Sequence, residues 1–155
     1  MLSKKCQYAL HALIYLGEHQ KGLTFISEIA ASKKIPKKFL EAILLDLKNT
    51  SILGSKKGKG GGYYLKKRPE EISVLHVVRA IDGAVAMLPC VSLNFYERCG
   101  LCDDERTCTI NHLFSKVRDE TLKILSKSTL ADLIRANHSE IDPVHATLQI
   151  IRDSE

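Results

Sequence analysis

Ser51-Ile52-Leu53-Gly54-Ser55-Lys56-Lys57-Gly58-Lys59-Gly60-Gly61-Gly62-Tyr63-Tyr64-Leu65 is the stretch on which the fold turns. Its two ends are rich in β-forming residues, so 51–54 and 62–65 are strand candidates. The middle, residues 55–62, holds four glycines and three lysines and cannot build a core. It can make a hairpin tip whose bare backbone comes close to a phosphate or a groove. Lys56, Lys57 and Lys59 on such a tip gain affinity for a polyanion by releasing its counterions. A flexible linker is the bland alternative, but a linker has no need of flanking β-forming residues.

Upstream of the hairpin the apolar residues repeat with helical spacing. Ala9, Ala12, Leu13 and Leu16 give a first helix from Lys4 to about His19. Thr24 or Ser27 is placed to cap a short second helix, with Ile26, Ile29 and Ala30 on one face. Pro36 suits the first turn of a third helix that runs to about Asn49. Leu40, Ile43, Leu44 and Leu47 make its inner stripe, while Lys38, Glu41, Leu45 and Lys48 fall on the opposite side, with Lys37 at its start. A short helix, a tight turn and a longer helix with a charged outer face form a helix-turn-helix pattern, and the basic hairpin adds a wing.

The charge distribution agrees with that pattern. Residues 1–68 carry 14 Lys/Arg against 4 Asp/Glu, whereas residues 69–155 carry 9 against 14. The first part is built to meet a polyanion and the second is not, which points to double-stranded DNA. No run of about 18 apolar residues is present to span a membrane. Lys4 and Lys5 precede an apolar stretch from Tyr8 to Gly17, but His11 interrupts it and no small-x-small cleavage site follows. The expected location is the cytoplasm. No Ser/His/Asp pattern, phosphate-binding loop, zinc-protease helix or dinucleotide fingerprint supports an enzyme.

Downstream, Pro69-Glu70-Glu71-Ile72-Ser73 reads as a helix entry. Val74, Val78, Ile81 and Val85 then form a stripe that Gly83 weakens. Four of the five cysteines follow as Cys90, Cys99, Cys102 and Cys108, spaced C-x8-C-x2-C-x5-C. A cytoplasmic protein seldom keeps structural disulfides, so the cluster suggests metal binding or redox sensing. Thiolates suit iron–sulfur clusters, zinc or cuprous copper. The spacing lacks the two close CxxC pairs of a paired-knuckle zinc site. Cys6, alone near the N-terminus, reads as core.

From Thr109 to about Lys127 a long helix carries Ile110, Leu113, Phe114, Val117, Thr121, Ile124 and Leu125. A winged helix of about 70 residues offers it little surface of its own chain, so a partner subunit is expected to bury it, with packing on the first helix as the other reading. A dimer would match a palindromic operator. Thr129-Leu130-Ala131-Asp132-Leu133 begins a short helix. The expected organisation is mainly α with a small β-hairpin: a winged helix-turn-helix over 1–68, a cysteine-loop and dimerisation region with a long helix over 69–137, and a loosely structured tail over 138–155.

The chain resembles, in several separate motifs, the IscR/NsrR group of winged-helix regulators, the Rrf-type family. The carriers are Tyr8-Ala9-Leu10, Phe39-Leu40-Glu41, Gly58-Lys59-Gly60-Gly61-Gly62-Tyr63, Val77-Val78-Arg79-Ala80-Ile81-Asp82-Gly83, the cysteine loop, and Thr129-Leu130-Ala131-Asp132-Leu133. The resemblance implies a homodimeric regulator, by expectation a repressor, that binds palindromic promoter DNA. It implies an iron–sulfur cluster, 2Fe-2S or 4Fe-4S, on three loop cysteines and a fourth ligand. Cys90, Cys102 and Cys108 match those ligands, since the last two keep the family's C-x5-C spacing.

Cys99 is an extra candidate inside a longer first interval. Asn111 stands where some members place a histidine, with His112 beside it. Gln7 stands where others place a carboxylate, with His11 one turn on. Glu41 matches a base-reading residue, and a carboxylate can accept from cytosine N4. Lys57 matches a wing residue that enters the minor groove, where lysine keeps the charge but loses the planar fork of arginine. Lys37, Lys38, Lys48, Lys56, Lys59, Gly60, Gly61 and Tyr63 complete the expected DNA contacts. A thiol-redox or zinc site in place of a cluster, and an iron–sulfur assembly or redox protein, remain the alternatives.

Overall fold

The computed structural model describes residues 2–20 and 22–138. Helix α1 (Lys4–Glu18) starts on Ser3, whose hydroxyl accepts the Cys6 N–H at 3.0 Å. Its inner face buries Ala9, Ala12, Leu13 and Leu16, the stripe expected from their spacing. Helices α2 (Ile26–Lys33) and α3 (Lys37–Asn49) follow, separated by a turn in which Lys34 takes a left-handed φ of 53°. Neither Thr24 nor Ser27 caps α2. Phe25 holds the cap position, and the Glu28 carboxylate accepts its N–H at 2.9 Å. Pro36 lies one position earlier than expected, at the cap of α3, where its carbonyl accepts the N–H groups of Phe39 and Leu40.

The wing is an antiparallel hairpin of β1 (Leu53–Lys56) and β2 (Gly62–Leu65), with Leu53 opposite Leu65 and Lys56 opposite Gly62. The first strand begins two residues later than the sequence pattern implies. Ser51 takes a φ of 62° in the turn out of α3, and Ile52 buries its side chain in the core while its carbonyl accepts the Lys66 N–H at 3.0 Å. Thr24 finds its place beside the hairpin: it exchanges backbone hydrogen bonds with Tyr63 at 3.0 and 2.9 Å. That pairing ties the entry to α2 to the base of the wing.

A turn at Pro69–Glu71 leads to α4 (Val74–Ile81), which Ser73 caps by accepting the His76 N–H. The helix ends before Gly83, so Val85 lies beyond it, yet Val85 still packs with Cys6, Val74 and Val78. After the cysteine segment come α5 (Thr109–Lys127) and α6 (Leu130–His138). Thr129 and Asp132 close a reciprocal cap on α6: the carboxylate accepts the Thr129 N–H at 2.8 Å and the threonine oxygen accepts the Asp132 N–H at 3.2 Å. Leu130 enters the main core and Ile134 packs against it from the α6 side. One apolar core therefore joins α1, α2, α3, the hairpin, Ile72, Val77 and Leu130.

Helix α5 differs from the single apolar face expected of it. Phe114, Thr121 and Leu125 are half-buried, with Leu125 packed on the Cys6 cluster. Ile110, Leu113, Val117 and Ile124 face solvent, and no residue of this helix is fully buried. The two sets are centred about 70° apart on the wheel, so the sequence period alone merges them. Residues 139–155, most of the segment expected to be a loose tail, lie outside the described residues. Among the described residues no helix is long and apolar enough to cross a membrane.

Candidate DNA interface and cysteine loop

The outer face of α3 is open because Leu40, Ile43, Leu44 and Leu47 point inward. Lys37, Lys38 and Glu41 are exposed on it and Lys48 is half-buried. Two contacts fix its angle against α1. Tyr8 and Phe39 meet edge to face with ring centroids 5.8 Å apart, and Lys5 pairs with Asp46 at 2.7 Å. Glu41 is thus presented on a helix held at both ends.

Beside α3, the wing tip carries Lys56, Lys57 and Lys59, all exposed. Its bend needs glycine at two nominated positions. Gly60 has a φ of 86°, which L side chains avoid. At Gly61, whose N–H donates to the Gly58 carbonyl at 2.9 Å, an added Cβ would stand 2.2 Å from the Lys56 carbonyl oxygen. These glycines shape the tip that displays the lysines. Tyr63 differs from the other nominated wing residues: its backbone pairs with Thr24 and its half-buried ring packs against the core. The ring therefore serves the base of the wing. The neighbouring Tyr64 is the exposed aromatic.

The cysteine segment is anchored to α5 at both ends. Cys90 lies on the turn Pro89–Val91. The Asn111 side chain donates to the Cys90 carbonyl at 3.4 Å, and Arg118 donates to the Val91 carbonyl at 2.6 Å. Cys108 caps α5, its sulfur accepting the Asn111 N–H at 3.4 Å. Asn111 thus links the two outer cysteines. Arg118 is a residue the sequence reading missed, although a lone arginine among Phe114, Thr121 and Leu125 was a signal of a buried carbonyl to satisfy.

Between these anchors, Glu105 accepts the Tyr96 hydroxyl at 3.0 Å and the Cys99 N–H at 3.2 Å. The sulfurs of Cys102 and Cys108 lie 3.4 Å apart. The Cys102 thiol is pushed up to about 12 because it donates to Cys108 and also meets Cys99. The Asn111 N–H holds the Cys108 thiol below its ordinary value, helped by the Cys102 donor. Ligation of a soft cation by these sulfurs would release their protons.

The structure thus brings Cys99, Cys102 and Cys108 together and places Cys90 one side-chain contact away. His112 is exposed on the first turn of α5 and His11 is exposed on α1. Among the described residues no three His, Cys, Asp or Glu side chains are arranged to hold a metal ion. The donor chemistry still fits a thiolate-held iron–sulfur cluster, with soft sulfurs on a surface loop over an ordered helix. Cys6 stands apart from this group, fully buried beneath α4, and burial raises its thiol to about 12.

A helix-turn-helix with a lysine-tipped wing, packed on a helix that carries a thiol loop, defines a winged-helix DNA-binding regulator. The family model for Rrf2, described as an iron-dependent transcriptional regulator, matches residues 2–136, and the chain belongs to that family. An rrf2-like HTH-type transcriptional regulator of Rhodobacter capsulatus is 40% identical over 143 residues, covering 89% of this chain and 95% of its own. The HTH-type transcriptional regulator NsrR of Oceanobacillus iheyensis is 29% identical over 141 residues, covering 90% and 92%. Among solved structures, CymR, titled the global cysteine regulator of B. subtilis, superposes with a TM-score of 0.73 at 26% identity, covering 88% of this chain and 97% of that one. The protein is an Rrf2-family transcriptional regulator.

Proposed function

We propose that this regulator is a homodimer whose affinity for a palindromic operator is set by an iron–sulfur cluster on the cysteine loop. The observation that carries the reading is the position of Cys108. It is at once a nominated ligand and the cap of α5, the helix whose stripe of Ile110, Leu113, Val117 and Ile124 is left exposed by the described residues. Fully burying each of these side chains is worth about 1.5–3 kcal/mol. A second copy is the natural cover, and its two-fold axis places two α3 helices and two wings on successive half-sites.

Cys90, Cys102 and Cys108 hold the cluster in this reading, with Cys99 in reserve and the fourth ligand drawn from a group such as His11 or His112. When bound, the cluster supplies sensitivity to oxidants, nitric oxide or iron supply. The chain's own part is mechanical. Cys108 caps α5 and Cys90 is on the turn that Asn111 and Arg118 pin to it, so rearranging the ligands shifts α5 and the dimer geometry. Glu41 on α3 and Lys57 on the wing then meet the groove at a changed spacing. The NsrR name of one relative supports the sensing role, and the CymR likeness supports the fold.

Iron and acid-labile sulfide assays on anaerobically purified protein, with its optical spectrum, test the cluster. The expected result is a brown protein with both elements bound. Iron-free protein that is folded and still competent for its operator contradicts it.

A further inference from the structure

The Cys102 and Cys108 sulfurs lie 3.4 Å apart, both partly open to solvent. The chain between them is already folded into a compact turn, with Thr107 N–H on the Asp104 carbonyl at 3.3 Å and Cys108 N–H on the Glu105 carbonyl at 3.2 Å. Asp104 closes it further by accepting from the Arg106 backbone at 2.9 Å and from its guanidinium. The two sulfurs thus face each other across this turn. Cys99 is held differently, its N–H on the Glu105 carboxylate, and the Cys90 backbone is tied to Asn111.

We propose that in the metal-free chain Cys102 and Cys108 form a reversible intramolecular disulfide on exposure to a hydroperoxide. The Cys108 sulfur attacks a peroxide oxygen; the O–O bond breaks, the sulfur becomes a sulfenic acid, and the departing oxygen takes up the Cys108 thiol proton and leaves as water, or as an alcohol from an organic hydroperoxide. The Cys102 sulfur then attacks the Cys108 sulfur, the S–O bond breaks and a second water carries off the hydroxyl with the Cys102 proton. The pair of thiols is oxidised by two electrons and the hydroperoxide is reduced by two. A low-molecular-weight thiol reverses the bond by exchange.

Two consequences follow for this chain. The disulfide removes two soft donors from the loop, so oxidised protein does not accept metal until it is reduced. It also takes from α5 the thiol that caps its Asn111 N–H. The proposal concerns the loop without metal and does not depend on which metal it holds.

The test uses the full chain, stripped of metal by chelator under reductant, then treated with stoichiometric hydrogen peroxide. Remaining thiols are alkylated before digestion at Lys and Arg and mass spectrometry. Cleavage after Arg98, Arg106 and Lys116 puts Cys99 with Cys102 on one peptide and Cys108 on another. The expected product is these two peptides joined, less two hydrogens, with Cys99 alkylated. It forms on a chain that runs as a monomer on a non-reducing denaturing gel. Cys99→Ala keeps the link and Cys102→Ser loses it, with helix content unchanged by circular dichroism. A link through Cys99 or Cys90, a link between two chains, or full alkylation of both sulfurs after peroxide overturns the proposal. The iron and sulfide assay can fail or succeed independently of this result, so the two readings are judged apart.

Discussion

Ser3 donates to the Asp82 carboxylate twice, from its backbone N–H at 2.9 Å and from its hydroxyl. The same hydroxyl caps α1 by accepting from Cys6. Asp82 ends α4, one residue before Gly83, where the chain leaves for the cysteine loop. The start of α1 is therefore tied to the end of α4, where the cysteine segment begins. Hydrogen bonds to a charged group contribute about 1.5–3 kcal/mol. Asp82→Ala is expected to lower unfolding free energy by about that amount in urea titrations; an unchanged midpoint would show that the link carries no load.

Cys6 lies under this junction. Its sulfur is fully buried, and burial, with the Asp82 charge nearby, also pushes its thiol up to about 12. The four loop cysteines are partly open to solvent, so a reagent reaches them and not Cys6 in the native protein. Thiol titration of metal-free reduced protein at pH 8 should count four fast cysteines and a fifth only after denaturation. Five fast thiols would place Cys6 at the surface.

Much of this fold was legible because the apolar residues of α1 and α3 repeat with a clean helical period, and the glycines and lysines of residues 55–62 are flanked by β-forming residues that a linker does not need. The rest depended on long-range partners. Thr24 looks like a helix cap until Tyr63, far along the chain, claims its backbone. The stripe on α5 reads as one face because Phe114 and Leu125 are as apolar as Leu113 and Ile124, and only α4 and the Pro89–Val91 turn divide them. The cysteine spacing nominated the loop. It did not show that Asn111 and Arg118 hold that loop to α5, since those contacts span 21 and 27 residues.

Asp132 makes α6 sensitive to acid. Its carboxylate is held down to about 2 by the Thr129 N–H and hydroxyl and by Arg135. The folded value is below the unfolded value of about 3.9, so this contribution is complete above that value and is lost as pH falls toward 2. Unfolding midpoints measured across that window should fall for the wild type and stay flatter for Asp132→Asn. Parallel curves would exclude Asp132 as the source.

The wing offers a local test. At Gly61 an added Cβ meets the Lys56 carbonyl oxygen at 2.2 Å, so Gly61→Ala must distort the tip. The core lies elsewhere, on α1 to α3, and helix content should persist while DNA affinity falls. Undiminished affinity would mean that the tip does not engage DNA.

Base reading and backbone contact separate at Glu41 and Lys57. Lys57→Ala should weaken DNA binding across sequences and lower the salt slope by about one unit. Glu41→Ala should relax sequence preference more than it lowers affinity, because an exposed carboxylate can accept from cytosine N4. Uniform weakening by Glu41→Ala across all sequences would count against base readout.

The account's central claim is that the cysteine loop governs the DNA-binding half. Its most direct test is fluorescence anisotropy on an operator selected from genomic fragments, comparing anaerobic cluster-loaded protein with the same preparation stripped of metal, at fixed salt. The account predicts affinities that differ by about tenfold or more, equivalent to about 1.4 kcal/mol of coupling. Equal affinity of the two forms, both folded and dimeric, would contradict it.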